Sequence, residues 1–392
     1  MREFIEGSHA IAQIVKRCRP GVVSAYPITP QTHIVEDLAQ LVADKELNAQ
    51  FVNVESEHSA ASVVLGAEAT GVRAYTATSS QGLLLMAEVV FNIAGLRLPV
   101  VMTTANRAVS APINIWNDQQ DVMAVRDSGW VLLFAETNQE AVDLHVQAYR
   151  LGEDPRVMLP VMVNMDGFIL THGMEIVDMP SQEEVDKFLP PYKTTYKLDV
   201  ENPQTMGYLA DPEYYLEIRY MVQETHKELL GIIPEVAASF KKSFGRDSGG
   251  LIQTYKMEDA EQVFVAMGSV CGTIRDTIDE LRAKGKKVGV LKIVSYRPFP
   301  KAEVNKALAK AKEVAVVDKS ISLGGYGPLY TDIAAAMMSV GAKAPKLSGF
   351  VVGLGGRDIT SQTISDVYEK LSGPQTDCTF VGLKQALLAE AR

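Results

Sequence analysis

VRAYTATSSQGLLLMAEVVFNIAGLRLPVVMTTANRA, Val72 to Ala108, decides the fold. Its two ends, VRAYTATS and LPVVMTTA, are short runs of apolar and β-branched residues, the composition of strands buried on both faces. Between them QGLLLMAEVVFNIAG carries apolar residues at helical spacing. A helix that crosses between two such strands makes them parallel, with the helix packed on a face of the sheet. Polar residues gather where each strand ends, in TATSSQG and TTANRA. In an open parallel sheet, ligands bind beyond the carboxyl ends of the strands.

The same rhythm extends in both directions. GVVSAYP, AQFVNVE, WVLLFA and LPVMVNM read as further strands, and HIVEDLAQLVADK, EHSAASVVLGAEAT and NQEAVDLHVQAYRLGE as the helices between them. AYPITP and VESEHS then join TATSSQG and TTANRA at the carboxyl ends of strands. From about Val177 the rhythm breaks. PSQEEVDKFLPPYKTTYKLDVENPQTMGYLADPEYY is rich in Pro, Tyr and acidic residues and reads as an irregular excursion, near 177–212. A long helix from about Glu213 to Phe244 follows, and SFGRDSGG reads as a flexible joint. Alternation resumes with QVFVAMGS and runs to a last helix near Thr360 to Leu371. The expected organisation is an α/β domain over 1–245, a linker over 246–258 and a smaller α/β domain over 259–392.

The 392 residues are 47% hydrophobic and 22% charged, with a formal net charge of -10. That balance suits a globular chain and argues against nucleic acid or an anionic membrane as a partner. No apolar run reaches the roughly 18–20 residues that span a bilayer, and MREFIEGSHA has no secretory apolar core. A cytoplasmic location is the expectation. The three cysteines, Cys18, Cys271 and Cys378, form no CxxC, and the six histidines show no HExxH or comparable spacing. No metal ligand set is therefore expected in this chain, and any metal or redox centre is expected on another.

Four places could carry chemistry. In AYPITP, Pro27 and Pro30 make a stiff bend that presents Thr29. Glu57 stands where a strand hands over to a helix, at the ligand end of the sheet. A plain structural reading exists too, since a helix N-terminus favours a carboxylate by about 0.3–1 kcal/mol. Arg107 follows a buried strand, and its fork suits a carboxylate, either a ligand's or that of Asp118 or Asp121. TSSQG sets small polar groups at another strand–helix turn. The loop Ala108 to Asp121, with Pro112 and Trp116, reads as a lid or a packed surface loop. GSVCG (268–272) and GLGGR (353–357) lack GxGxxG spacing and a P-loop lysine, and read as tight turns. MDG (165–167) has no asparagine pair after it to complete a metal–diphosphate motif.

AYPITP, SEHSAA, SSQGLLLM and NRAVSAPINIWND together resemble the α subunits of pyruvate:ferredoxin oxidoreductases, within the 2-oxoacid:ferredoxin oxidoreductase family. RPFP (297–300), LGGYGPL and GLGGRDI extend the resemblance over the second half. It implies a pyrimidine-type thiamine-diphosphate-binding α/β domain with a parallel sheet, followed by a smaller transketolase C-terminal-like α/β domain. It further implies a cofactor site shared with a β subunit that supplies the diphosphate and Mg2+ motif. The [4Fe-4S] clusters would lie on partner chains, including γ- and δ-type subunits. The implied reaction is oxidative decarboxylation of pyruvate to acetyl-CoA and CO2, with electrons passed to ferredoxin. Carried onto this sequence, Glu57 corresponds to the glutamate that bonds the aminopyrimidine ring and helps it take the thiazolium proton. Tyr26, Pro27 and Gln81 would line the cofactor. Thr29 and Arg107 would hold the 2-oxoacid, with Asn114 and Asp118 beside it. Gln119 and Gln120 stand where the family pattern leads one to expect a histidine. Competing expectations are the same chemistry on a branched-chain 2-oxoacid, 2-oxoglutarate or oxalate, a non-catalytic assembly subunit, and a transketolase-type enzyme complete in one chain.

Overall fold

A computed structural model describes residues 2–341 and 344–390, and the chain divides into two compact units. The first comprises Met1–Leu251 with Val294–Pro300, the second Ile252–Ile293 with Lys301–Arg392. The first division, after Leu251, falls inside the segment expected to be a linker, and two strands sit differently from expectation. Ile252–Tyr255 is a strand of the second unit's sheet. Ser295–Arg297, expected in the second domain, is an edge strand of the first unit's sheet.

That first sheet has seven strands, in the order Ser295–Arg297, Val131–Phe134, Val161–Asp166, Val101–Asn106, Ala74–Thr78, Val22–Val23 and Gln50–Phe51. All neighbours pair in parallel except Ser295–Arg297, which runs antiparallel to Val131–Phe134. Every residue of Ala74–Thr78, Val101–Asn106, Val131–Phe134 and Val161–Asp166 is buried. Helices on both faces explain why these strands read as continuous apolar runs. Each fully buried Val, Leu or Ile contributes roughly 1.5–3 kcal/mol. The runs GVVSAYP and AQFVNVE shrink to two paired residues each. The first ladder ends at Ser24, whose N donates to the Tyr75 carbonyl at 3.2 Å, before the chain reaches Pro27. QGLLLMAEVVFNIAG forms two helices, Ser80–Leu85 and Ala87–Gly95, rather than one.

The expected excursion holds more order than its composition suggests. Met174–Asp178 pairs antiparallel with Arg2–Glu6, and Gln182–Phe188 is a helix opened by a Ser181/Glu184 capping box. Tyr215–Phe244 is the long helix, stopped at Gly245 in the left-handed conformation at φ 73°. Phe240 and Phe244 stack at 4.4 Å, and both meet the edge of Phe188. Among the described residues no helix is long and apolar enough to cross a membrane.

The second unit has a six-stranded sheet: Thr379–Phe380, Lys346–Val351, Glu313–Asp318, Gln262–Ala266, Val288–Ile293 and Ile252–Tyr255. Only the last strand is antiparallel to its neighbour. Phe264, Val290, Ala315 and Phe350 form its core against Ile274, Ile278 and Ile364 of the helices.

A buried polar chain crosses the first unit and gives it an acid-sensitive spot. His145 donates from Nδ1 to the Ala141 carbonyl at 2.6 Å. Its Nε2 therefore accepts from the Thr103 hydroxyl, 2.6 Å away, which in turn accepts from Tyr75. Burial lowers the His145 pKa to about 4. The unfolded chain takes up this proton from the ordinary histidine value near 6.5 downward, while the folded chain resists until about 4. Stability is therefore lost as pH falls through that window. Between pH 7 and pH 4.5 the loss from this one group is roughly 2–3 kcal/mol. Denaturant unfolding of the wild type and His145→Gln at both pH values checks this. The wild type should fall by that much more than the variant, and equal falls would refute the assignment.

Candidate active site at the carboxyl ends of the first sheet

The site is assembled from four strand ends. After Gln50–Phe51 the chain reaches Ser56, whose hydroxyl caps the helix Glu57–Ala69 by accepting from Ser59 N at 3.3 Å. Glu57 is the first residue of that helix, yet its side chain turns inward and only 7% of the residue is exposed. It lies against Gly82, near the start of the helix Ser80–Leu85. A Cβ at Gly82 would sit 2.7 Å from Glu57 Oε1 and 2.6 Å from Thr78 Oγ1, so only glycine leaves this carboxylate in place. Among the described residues, no group donates a hydrogen bond to Glu57 or pairs with it as an ion. A nearly buried carboxylate with no protein donor keeps its acceptor capacity for a ligand. The arrangement calls for an N–H from a ligand. A protonated or N–H-bearing ring nitrogen meets that requirement, so the residues fit an aminopyrimidine ring.

The AYPITP bend is held from behind. Gln31, fully buried, donates from Nε2 to the carbonyls of Tyr26 and Ala77, both at 2.9 Å. Tyr26, Pro27 and Thr29 face outward and are exposed. Arg107 comes to the same bend from the end of Val101–Asn106. Its Nη1 donates to the Thr29 carbonyl and its Nε to the Asn114 carbonyl, both at 2.9 Å. Neither Asp118 nor Asp121 takes the guanidinium. Two donors are fixed on backbone oxygens, and no hydrogen bond engages Nη2 among the described residues. Arg107 is 5% exposed, and burial lowers its pKa against an opposing pull from Asp121.

Asp121 has another task. It is fully buried and accepts from Ser80 N, Arg107 N and Asn106 Nδ2, each at 3.0 Å, and from Val122 N at 2.8 Å. Burial raises its pKa to about 7 against these donors. Four N–H groups aimed at two oxygens favour the carboxylate form. One side chain thus fixes two turns, and it holds Ser80 at a left-handed φ of 49°, a strained state for a residue with a Cβ.

Gln81 bonds Ser80 and Ser110, so it links the helix start to the 108–121 loop. Asn114 Oδ1 accepts from Trp116 N at 2.8 Å. Asp118 is 2% exposed, and its Oδ1 accepts from Gln120 N at 3.0 Å. Asn117 and Gln119 both donate to Asp166, at 3.2 and 3.3 Å. The buried end of the loop is therefore built on Asp166, the acid of MDG, while Ile113 and Trp116 stay 78% and 53% exposed. The structure joins Thr29, Arg107 and Asn114 by hydrogen bonds and sets Glu57 against Gly82. Sequence reasoning missed Gly82, Gln31, Ser80 and the role of Asp121. A glycine three residues into a polar strand–helix turn was the one available signal.

Residues 13–238 match the family model described as pyruvate flavodoxin/ferredoxin oxidoreductase, thiamine diphosphate-binding. The chain belongs to the pyruvate:ferredoxin oxidoreductase family. Residues 260–364 match that family's core domain II. Pyruvate synthase subunit PorA of Methanothermobacter thermautotrophicus is 50% identical over 383 residues, 98% of each chain. Ketoisovalerate oxidoreductase subunit VorA of Pyrococcus horikoshii is 43% identical over 372 residues, covering 95% of this chain and 94% of that one. Among solved structures, the 2-oxoglutarate:ferredoxin oxidoreductase of Magnetococcus marinus superposes with a TM-score of 0.73 at 20% identity, over 94% of this chain and 65% of that longer one. A split-gene transketolase superposes with a TM-score of 0.55 at 12% identity, over 94% and 98% of the two chains. These two likenesses bear on fold alone. They agree with a thiamine-diphosphate-type parallel-sheet domain in this pyruvate:ferredoxin oxidoreductase family member, followed by a transketolase-like α/β unit.

Proposed function

We propose that this chain is the α subunit of a pyruvate:ferredoxin oxidoreductase and contributes the pyrimidine side of a thiamine diphosphate site. The observation that carries the reading is Glu57, a buried carboxylate without an internal donor, seated on Gly82 in a domain of the thiamine-diphosphate-binding type. Thiamine diphosphate, when bound, supplies the electron sink for loss of CO2 from a 2-oxoacid. Glu57 holds a proton at the pyrimidine ring nitrogen, and the low dielectric around it strengthens that bond. Tyr26, Pro27 and Gln81 border the ring. Arg107 presents Nη2 to the substrate carboxylate, with its other donors already committed to Thr29 and Asn114. The Thr29 hydroxyl lies on a bend that Gln31 keeps rigid, so it meets the substrate without reorganising. Asn114 stands at the edge of this position, and Asp118 supports the loop from inside.

The partners follow from the same reading: a β subunit with the diphosphate and Mg2+ motif, γ- and δ-type subunits, [4Fe-4S] clusters on those chains, coenzyme A and ferredoxin, in the cytoplasm. Asp166 of MDG is engaged by Asn117 and Gln119, which supports placing the diphosphate motif elsewhere. Pyruvate is the proposed substrate, because the identity to pyruvate synthase subunits, 50%, exceeds the 43% to a ketoisovalerate subunit. The test is a steady-state assay of the co-purified complex with pyruvate, 2-oxoisovalerate, 2-oxoglutarate and oxalate. Pyruvate should give the highest kcat/KM, and the isolated chain should not bind thiamine diphosphate tightly. A preference for another acid would overturn the substrate, and tight magnesium-dependent binding to the isolated chain would overturn the shared site.

A further inference from the structure

Spacing along the chain offered no metal site, but folding brings three ligands from three elements together. Glu6 ends the strand Arg2–Glu6, His9 lies in the first turn of the helix Gly7–Cys18, and His33 in the first turn of Thr32–Ala43. We propose that Glu6, His9 and His33 bind a divalent transition-metal ion of the zinc type.

The distances suit such an ion. Zinc bonds nitrogen and oxygen at about 2.0–2.2 Å, so the edges of a tetrahedral site are about 3.3 Å. Glu6 Oε1 lies 2.7 Å from His33 Nδ1 and Glu6 Oε2 3.9 Å from His9 Nε2, which bracket that edge. One donor atom from each of the three lies within 4.8 Å of the other two. The donor set, two imidazoles and one carboxylate, matches zinc, cobalt and nickel better than magnesium or calcium.

The surroundings orient the ligands. His9 bonds Asp37 through Nδ1, one helical turn beyond His33. A carboxylate that accepts Nδ1–H leaves the Nε2 lone pair free on the side of Glu6, 3.9 Å from its Oε2, the outer-shell arrangement that fixes a metal-binding tautomer. His33 is held by its ring. It stacks on His9 at 5.8 Å and packs on His172 at 4.9 Å, which in turn rests on Phe168 at 4.7 Å. His9 and His33 are 45% and 41% exposed, so a fourth position is open to water. A bound ion displaces the proton that Glu6 and His33 now share. It also ties the N-terminal strand and helix to the helix that follows the AYPITP bend.

The test uses the untagged full chain, freed of metal with a chelator and titrated with Co2+ and then Zn2+. One equivalent of Co2+ should develop visible ligand-field bands, and one equivalent of Zn2+ should abolish them. His9→Ala and His33→Ala should each lose the bands and weaken binding at least tenfold. Asp37→Asn should keep one site per chain at about 10–100-fold lower affinity. Circular dichroism confirms that each variant folds, and Glu6→Gln replaces any that does not. Bands that persist in the folded histidine variants, or no saturable binding in the wild type, would overturn the site.

Discussion

Replacing Glu57 with glutamine is expected to lower pyruvate-dependent ferredoxin reduction in the assembled complex by roughly 10²–10⁴-fold, the range that a positioned proton-transfer partner contributes. Glutamine keeps the shape that Gly82 accommodates but cannot carry the negative charge that holds a proton on a ring nitrogen. The fold should not suffer. Glu57 has no internal hydrogen-bond partner to lose among the described residues, and glutamine is its near-isostere. Thermal stability of the variant should therefore equal that of the wild type. Gly82→Ala should reproduce much of the loss without altering any titratable group, because its Cβ would enter the space of Glu57 Oε1. Turnover assays with subunit stoichiometry measured in parallel distinguish the outcomes. Full activity of the glutamine variant in an intact complex would leave the chain as a scaffold and end the proposed role.

The parts of this site that were legible in the sequence are those written in local pattern. Alternation between buried strand runs and helical spacing marked the parallel sheet, and the strand-to-helix handover marked Glu57. What escaped depends on pairs of residues far apart. The strand Arg2–Glu6 pairs with Met174–Asp178, more than 160 residues away, and nothing local announces it. The Gly82 contact requires the starts of two helices to converge. Asp121 carries a role that spacing cannot reveal, since its acceptors serve the backbone of Ser80 and Arg107 rather than a cation. The sequence offers the Arg107 guanidinium a ligand carboxylate or Asp118 or Asp121, and in the fold two of its donors rest on the carbonyls of Thr29 and Asn114. The histidines, read one at a time, gave no metal spacing because their cluster spans a strand and two helices.

That pair of carbonyls makes Arg107 the second decisive position. Arg107→Ala is expected to raise the KM for the 2-oxoacid by about 10–100-fold, the loss of a charge-assisted hydrogen bond worth roughly 1.5–3 kcal/mol. It should also lower kcat, because the carbonyls of Thr29 and Asn114 lose the donor that joins the bend to the loop. Arg107→Lys separates the two contributions. An ammonium supplies the charge from one point and cannot bond two carbonyls and a carboxylate in one plane. The lysine variant should therefore recover part of the KM while kcat stays depressed. A purely structural arginine predicts a different result: lower thermal stability for both variants, with KM for the 2-oxoacid unchanged. Steady-state kinetics of the two variants against pyruvate, read beside their unfolding temperatures, decide between the two. An unchanged KM in the alanine variant would remove Arg107 from the substrate and leave it as a clasp between Thr29 and the 108–121 loop.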